Sequence, residues 1–155
     1  MERCRAEYSI PGLGWCYIEC RGDVVVSLQL SRGAETLCCG ERTPFTDGIF
    51  AQVVEYLAGE RLEFDAPLDM GHLTPFQQKV LRALQRIPYG EVCSYKQIAE
   101  AIGSPKAARA VGGACNRNPI HLIIPCHRIV GTNGSLTGYA AGVEIKEQLL
   151  EIEAL

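Results

Sequence analysis

The 155-residue sequence predicts an α+β protein, in which a small α/β domain with an antiparallel hairpin precedes a mainly helical domain. Short runs rich in β-branched and aromatic residues flank a Gly-Asp turn near the N-terminus, whereas apolar residues at helical spacing fill most of the chain after residue 73. A stretch with Pro and Gly at residues 65–73 separates the two patterns, so we expect domains at 1–70 and 71–155. The apolar content of 47% with 21% charged residues is typical of a globular chain.

The N-terminal half has the pattern of a scaffold. Residues 14–20 and 24–30 are short apolar runs separated by a turn, which predicts a β-hairpin. A helix should follow, capped by Thr46 or Asp47, because apolar residues then recur at helical spacing. Apolar and charged residues alternate at 62–64, which predicts a short edge strand.

Capping residues divide the C-terminal half into helices. Thr74 and Pro75 begin one helix, and Ser94 with Gln97 three residues later forms the capping box of the next. Gly103 ends that helix, and another is expected to begin immediately after it. Two short helices joined by a tight turn have the layout of a helix-turn-helix, which is a DNA-binding motif.

The second helix of this pair, expected to begin at residues 104–105, consists mainly of Ala and Gly. Its large polar side chains are Lys106, Arg109 and Arg117. A helix of small residues can bring its backbone close to a phosphate chain while its arginines contact the groove or the backbone. Tight packing against another helix of the same protein is the alternative explanation for its glycines, which each cost about 1 kcal/mol relative to Ala.

The net charge of −3 is unevenly distributed. Residues 1–73 contain six Arg against twelve Asp and Glu, whereas residues 74–143 contain eight Lys and Arg against two Glu. A basic half beside an acidic half favours a polyanion as partner, although a solvated charge pattern would look the same.

No window approaches the roughly 18 apolar residues of a membrane span, and the charged N-terminus lacks the apolar core of a signal peptide. We therefore expect a soluble protein of the cytoplasm, or of the nucleus in a eukaryote, with no membrane contact.

The eight cysteines contain no CxxC pair, so neither a zinc ribbon nor a thioredoxin motif is indicated. Cys16 and Cys20 could share a metal with Cys4 and His72, but only three histidines exist. We therefore predict no metal and no cofactor, and we expect most of the thiols to be small buried apolar groups.

One cysteine has a different context. Pro125 fixes the backbone just before Cys126, and His127 and Arg128 follow it. Cationic neighbours lower the pKa of a thiol, and the thiolate is the nucleophile, so this segment predicts an activated sulfur. A histidine base must itself be oriented by a third group. Four glutamates of the expected last helix are candidates: Glu144, Glu147, Glu151 and Glu153.

The segments SYKQIA, PKAARAVGG, IIPCHRIV and GYAAGVEIKEQLLEIE resemble the methylated-DNA–protein-cysteine methyltransferases, also called alkylguanine-DNA alkyltransferases. The resemblance covers residues 76–153, about half of the chain. It implies a ribonuclease H-like N-terminal domain and a winged helix-turn-helix. It also implies DNA repair by irreversible, single-turnover transfer of the alkyl group of 6-O-alkylguanine to the protein, with 4-O-alkylthymine left open as a substrate. The implied partner is double-stranded DNA, bound by a monomer in the minor groove with the alkylated guanine flipped out.

The resemblance further implies roles for single residues. Cys126 is the alkyl acceptor, His127 is its base through a bridging water, and Glu153 orients the histidine. Tyr95 donates to the guanine ring, and Arg109 takes the place of the flipped nucleotide in the base stack. The other implied contacts to substrate and DNA are made by Asn118 as a hinge, Tyr139 as a wall of the pocket, Ala108, Gly112, Arg128 and Lys106.

The sequence departs from the family pattern at three positions. Ala140 stands where many members have a serine that hydrogen-bonds the base, Ala141 stands where glycine is common, and Cys115 stands where a larger apolar residue is common.

Two other functions compete with the transferase. A lesion-binding or transcription-regulating helix-turn-helix protein without catalysis is the first, but such relatives lack the active-site cysteine. A thiol hydrolase or redox sensor is the second, and it would need an oxyanion hole or a resolving cysteine that no nearby spacing indicates.

Overall fold

The computed structural model describes residues 3–33, 41–136 and 139–154. The strands are β1 (Arg3–Ile10), β2 (Gly14–Arg21), β3 (Val24–Ser31), β4 (Cys93–Ser94) and β5 (Ile129–Val130). The α-helices are α1 (Pro44–Leu57), α2 (Pro75–Leu84), α3 (Tyr95–Ala101), α4 (Ala108–Asn116) and α5 (Val143–Ala154). The chain therefore mixes a small sheet with helices, as the sequence predicts.

The first three strands form an antiparallel sheet in the order β1-β2-β3. The hairpin of β2 and β3 confirms the sequence prediction, but β1 was not predicted. Its signal was present, because Ala6, Tyr8 and Ile10 are buried in strict alternation with more exposed residues. That period of two is the pattern of a strand with one face on a core.

Helix α1 begins earlier than the sequence predicts. Its N-cap is Thr43, whose side chain accepts from the Thr46 backbone N–H at 3.1 Å, while the Thr46 hydroxyl accepts from the Thr43 N–H at 2.8 Å. This reciprocal capping box, with Pro44 in the first turn, places Thr46 inside the helix rather than at its start. Asp47 is likewise no cap, since its carboxylate accepts from the Tyr8 hydroxyl at 2.7 Å.

The predicted edge strand at residues 62–64 is wrong, because the described chain is irregular there and Leu62 is 56% exposed. The segment that does join the sheet lies slightly later, where Leu68 forms an isolated parallel bridge with Val25.

The Thr74 cap of α2 and the capping box of α3 are present as predicted, and Thr74 proves to be part of a capping box as well. The Thr74 side chain accepts from the Gln77 N–H at 3.1 Å, and the Ser94 side chain accepts from the Gln97 N–H at 3.0 Å. Helix α4, however, begins at Ala108 and not at residues 104–105. The Ser104 N–H donates to the Ala99 carbonyl of α3, and residues 102–107 form the connecting turn.

The sheet is joined to the segment that precedes Cys126. The Leu28 N–H of β3 donates to the Pro119 carbonyl at 2.8 Å, and the His121 N–H donates to the Leu28 carbonyl at 2.6 Å. Residues of both halves also pack into one hydrophobic core. The domain boundary between 1–70 and 71–155 therefore stays a prediction. The hydrogen bonds of Leu28 explain how the N-terminal sheet supports the segment before Cys126.

None of the helices within the described parts of the chain has the length and apolar character needed to cross a bilayer.

Candidate active site

Cys126 lies in a single 3-10 turn, Cys126–Arg128, directly after Pro125. The thiol is 3% exposed and accepts a hydrogen bond from the Asn118 side-chain amide, with 3.1 Å between Nδ2 and Sγ. A donor aimed at sulfur favours the thiolate over the thiol. Cys126 is thus buried, lies in a single 3-10 turn and has one fixed polar contact, with Asn118.

Asn118 connects the end of α4 to this turn. Its Oδ1 accepts from the Ile120 N–H at 3.0 Å, and its Nδ2 also lies within hydrogen-bond distance of the Ile120 carbonyl (3.2 Å) and the Ile124 carbonyl (3.0 Å). These contacts fold residues 118–124, which lie between α4 and Cys126, around one buried amide. The positions agree with the hinge role that the family resemblance implies, and that role stays a prediction.

The resting thiol is not activated in the way the sequence predicts. Burial raises the pKa of Cys126 to about 11, and the Asn118 hydrogen bond and the Lys146 ammonium oppose this rise only in part. Lys146 is fully buried, and burial lowers its own pKa. The expectation that His127 and Arg128 act on the thiol as cations is wrong for the resting protein, because both side chains contact Glu153 instead.

Glu153 of α5 is the centre of a buried polar cluster. Its Oε2 accepts from the Tyr56 hydroxyl and lies 2.6 Å from His127 Nε2. Arg128 binds both carboxylate oxygens, with Nε at 2.8 Å from Oε1 and Nη2 at 3.0 Å from Oε2. Burial alone would raise the pKa of Glu153, but the hydrogen bonds from His127 and Arg128 outweigh it and hold that pKa at about 2. The carboxylate is therefore ionised at every physiological pH.

An ionised Glu153 decides the tautomer of His127. A carboxylate without a proton only accepts hydrogen bonds, so the proton of the neutral imidazole lies on Nε2. Burial lowers the pKa of His127, which keeps the ring neutral in the resting state. Its Nδ1 then carries a lone pair, and this atom is buried with no hydrogen-bond partner among the described residues. The cluster thus holds an imidazole with its basic nitrogen available.

Arg128 differs from its predicted role as a DNA contact. The residue is 8% exposed, its guanidinium binds Glu153 as above, and its Nη1 donates to the Ile87 carbonyl at 2.7 Å. The guanidinium also lies 5.6 Å from the centre of the Tyr89 ring. We therefore correct the expectation: Arg128 is an internal counter-charge for Glu153.

Sequence reasoning missed Tyr56, whose fully buried hydroxyl donates to Glu153 and lies 3.3 Å from His127 Nε2. In the sequence this tyrosine is one of several apolar-face residues of α1, and nothing distinguishes it. Through Tyr56, helix α1 of the N-terminal half contacts the polar cluster around Glu153 directly.

Two tyrosines surround the thiol region. Tyr139 is buried, its hydroxyl has no hydrogen-bond partner within the described part of the chain, and its ring centre lies 5.4 Å from that of His121. Tyr95 begins α3, and burial raises its pKa. A Cβ added to Gly112 would lie 3.7 Å from the Tyr95 ring, an ordinary van der Waals distance. Alanine would therefore fit at this position, and packing against Tyr95 does not require the glycine.

The remaining residues predicted to contact DNA lie at the protein surface. Lys106 and Arg109 are exposed and Ala108 is half-buried, so the turn before α4 and its first residues face solvent. Arg117 at the end of the helix is exposed as well.

Within residues 3–33, 41–136 and 139–154, no three His, Cys, Asp or Glu side chains lie close enough together to hold a metal ion. Cys38 and Cys39 lie outside the described residues.

We expect the free energy of unfolding to fall on acidification in two windows. Burial lowers the pKa of His121 from 6.5 to about 4 and also lowers that of His127, so the unfolded chain takes up these protons first and stability decreases as the pH falls from 6.5 towards 4. Glu153 adds a second loss between 4.5 and about 2, the unfolded and folded values of its pKa. The shifts of His121 and Glu153 are each worth about 3 kcal/mol. Urea denaturation at a series of pH values measures both windows, and a stability that stays constant down to pH 4 would contradict the buried neutral histidines.

Comparison with known families places this geometry in context. Residues 75–155 match the family model described as "6-O-methylguanine DNA methyltransferase, DNA binding domain". The methylated-DNA–protein-cysteine methyltransferase of Methanosarcina acetivorans is 56% identical over 102 residues, which are 66% of this chain and 65% of that protein. The constitutive enzyme of that name from Bacillus subtilis is 57% identical over 105 residues, 67% of this chain and 63% of that protein. The match thus spans slightly less than two thirds of the length of these relatives.

Solved structures extend the similarity over nearly the whole chain. The Mycobacterium tuberculosis OGT in complex with DNA has a TM-score of 0.87 at 42% identity, covering 97% of this chain and 92% of that one. The O6-methylguanine-DNA methyltransferase of Pyrococcus kodakaraensis KOD1 has a TM-score of 0.73 at 25% identity, covering 99% of this chain and 100% of that one.

Proposed function

Because this chain belongs to the 6-O-methylguanine-DNA methyltransferase family, we propose that it repairs DNA by moving the alkyl group of a 6-O-alkylguanine onto its own Cys126, irreversibly and once per molecule. The family resemblance carried by IIPCHRIV is thereby confirmed. The observation that supports the reaction best is the buried Cys126 thiol, held by Asn118 and followed by a histidine whose Nε2 is bound to ionised Glu153 and whose Nδ1 is available.

In the proposed reaction, a bond forms between Cys126 Sγ and the alkyl carbon while the bond from that carbon to guanine O6 breaks. The thiol proton moves through a bridging water to His127 Nδ1, which carries a lone pair when ionised Glu153 holds the ring proton on Nε2. Charge develops on the departing guanine, and the Tyr95 hydroxyl donates to its ring, an interaction that strengthens in the transition state. The product is a thioether, whose sulfur is a poor leaving group, so the protein is consumed.

We assign His127 the role of base, Glu153 and Arg128 the role of holding it, and Tyr139 the role of a pocket wall. Because the Cys126 pKa is about 11 in the resting protein, the proton must leave when substrate is in place rather than before. Asn118 and Lys146 favour the thiolate as it forms. The buried site keeps the nucleophile from reacting with other electrophiles until a base enters.

The DNA is proposed to bind in its minor groove to a monomer, through a winged helix-turn-helix made of α3, the turn at 102–107 and α4. The outward positions of Lys106 and Arg109 on a basic half support this interface. The lesion leaves the stack and enters the pocket, and Arg109 fills the space that the nucleotide vacates. Flipping costs a few kcal/mol, least for a badly paired base. The N-terminal sheet with α1 is proposed to be a ribonuclease H-like support for the site.

The test of this function is the mass of the intact protein after mixing with a duplex that contains one 6-O-methylguanine. We expect a gain of one methyl group in place of hydrogen, on Cys126 by peptide mapping, at no more than one per molecule. An undamaged duplex of the same sequence is the control. An unchanged mass together with tight binding of the lesion would contradict transfer and support a recognition module.

Arg109→Ala is expected to slow repair of duplex DNA without slowing the reaction with free 6-O-benzylguanine, which needs no flipping. Losing a group that fills the stack should cost about 1–3 kcal/mol, or roughly 5- to 150-fold in the duplex rate. Single-turnover kinetics on both substrates measure the difference. Arg3→Ala removes another exposed arginine, on the far strand β1, and should leave both rates unchanged. An equal loss on the two substrates in Arg109→Ala would rule out the flipping role.

A further inference from the structure

Cys4 of β1 and Cys20 of β2 lie directly opposite each other in the antiparallel ladder. Residues in opposite register project to the same face of a sheet, so the two thiols face one another. The side chains are hydrogen-bonded to each other, and both thiols are free. Cys4 and Cys20 are therefore sixteen positions apart in the sequence, but the sheet brings their thiols into contact.

The backbone geometry of such a pair suits a disulfide. Opposite residues of antiparallel strands have Cα atoms about 4.5–5.5 Å apart, and disulfides bridge Cα atoms about 4.4–6.8 Å apart. Two cysteines already in side-chain contact thus need only small side-chain rotations to bond.

We propose that Cys4 and Cys20 form a reversible cross-strand disulfide when the protein meets a peroxide. Cys4 is half-buried and reaches solvent, whereas Cys20 is 1% exposed, so Cys4 reacts first. Its sulfur attacks one oxygen of hydrogen peroxide and becomes a sulfenic acid with release of water. The Cys20 sulfur then displaces the hydroxyl as a second water. Two thiols are oxidised and one peroxide is reduced to two waters, and an added dithiol reverses the bond.

Other described cysteines lack this arrangement. Cys16 of the same sheet lies opposite Tyr8, and burial raises its pKa to about 12. Cys93 is half-buried but lies in the short strand β4, paired with Ile129. The site is specific to the edge of the sheet, since β1 has β2 as its single partner in the strand order. A disulfide there would fix the edge strand to its neighbour and restrain the unfolded chain.

The experiment exposes the whole protein, purified with its thiols reduced, to hydrogen peroxide, followed by intact mass and non-reducing peptide mapping. We expect loss of two hydrogen atoms, a peptide that links Cys4 to Cys20, and a rise in Tm that dithiothreitol reverses. Cys4→Ser and Cys20→Ser should each prevent both changes. Cys93→Ser is the matched control, because it removes another half-buried thiol, and it should behave as the unaltered protein.

Three results would overturn the proposal. They are oxygen atoms gained on Cys4 without a link to Cys20, a linked peptide between other cysteines, and a metal ion that native mass spectrometry finds bound to the pair. The proposal does not rest on alkyl transfer, so a failure of the repair reaction leaves this experiment unaffected.

Discussion

Replacing Cys126 by alanine is expected to abolish alkyl transfer completely while DNA that contains the lesion still binds. Transfer needs a sulfur at the end of the Asn118 hydrogen bond, and alanine offers no nucleophile there. The DNA contacts proposed for the turn before α4 and for its exposed residues are untouched by the change. Mass spectrometry of the variant with a methylated duplex should show no methyl adduct. Fluorescence anisotropy should show binding within about twofold of the unaltered protein, because the substitution lies inside the protein and removes none of the proposed DNA contacts.

Cys115 provides a matched control for this experiment. It is another buried thiol of the C-terminal half, and burial raises its pKa to about 12. It lies on α4 and not on the turn with His127, so Cys115→Ala should keep full transfer. Methylation of the Cys126→Ala protein at Cys115 or at any other residue would contradict the assignment of a single acceptor.

The caps that the sequence predicted correctly depend on local chemistry alone. Thr74 and Ser94 each precede a glutamine by three residues, and a capping box needs nothing beyond that spacing. The start of α1 was missed because its box uses Thr46 in the third position, where glutamate or glutamine is the usual signal. Helix α4 has no side-chain cap at all, so its first residue was not predictable from a capping signal.

The partners of the candidate base depend on tertiary contacts. The residue pattern left four glutamates of α5 equivalent, and the family resemblance pointed to Glu153, which the fold brings to His127 while Glu151 stays exposed. Tyr56 reaches the same carboxylate from α1, nearly one hundred residues away in sequence. Arg128 was predicted to contact DNA, because its burial beside Glu153 could not be deduced from charge counts or from the resemblance.

Glu153→Gln is expected to destabilise the protein strongly. The carboxylate compensates the charge of the buried Arg128 guanidinium, and it also accepts from Tyr56 and His127. Removing one partner of a buried ion pair costs about 3–5 kcal/mol, because the other charge stays buried without compensation. Urea denaturation at neutral pH measures this loss. Glu151→Gln, an exposed neighbour on the same helix, should change stability by less than about 0.5 kcal/mol.

The same substitution should slow transfer for a separate reason. A glutamine side chain can donate as well as accept, so it no longer forces the His127 proton onto Nε2, and the tautomer with a proton on Nδ1 becomes populated. That tautomer cannot take the Cys126 proton. Loss of a positioned general base typically costs about 10²–10⁴ in rate. The reaction with free 6-O-benzylguanine, measured at a temperature at which circular dichroism shows both proteins folded, separates this effect from unfolding. A folded Glu153→Gln protein that reacts at the unaltered rate would show that His127 does not need its carboxylate, and the base would then have to be sought elsewhere.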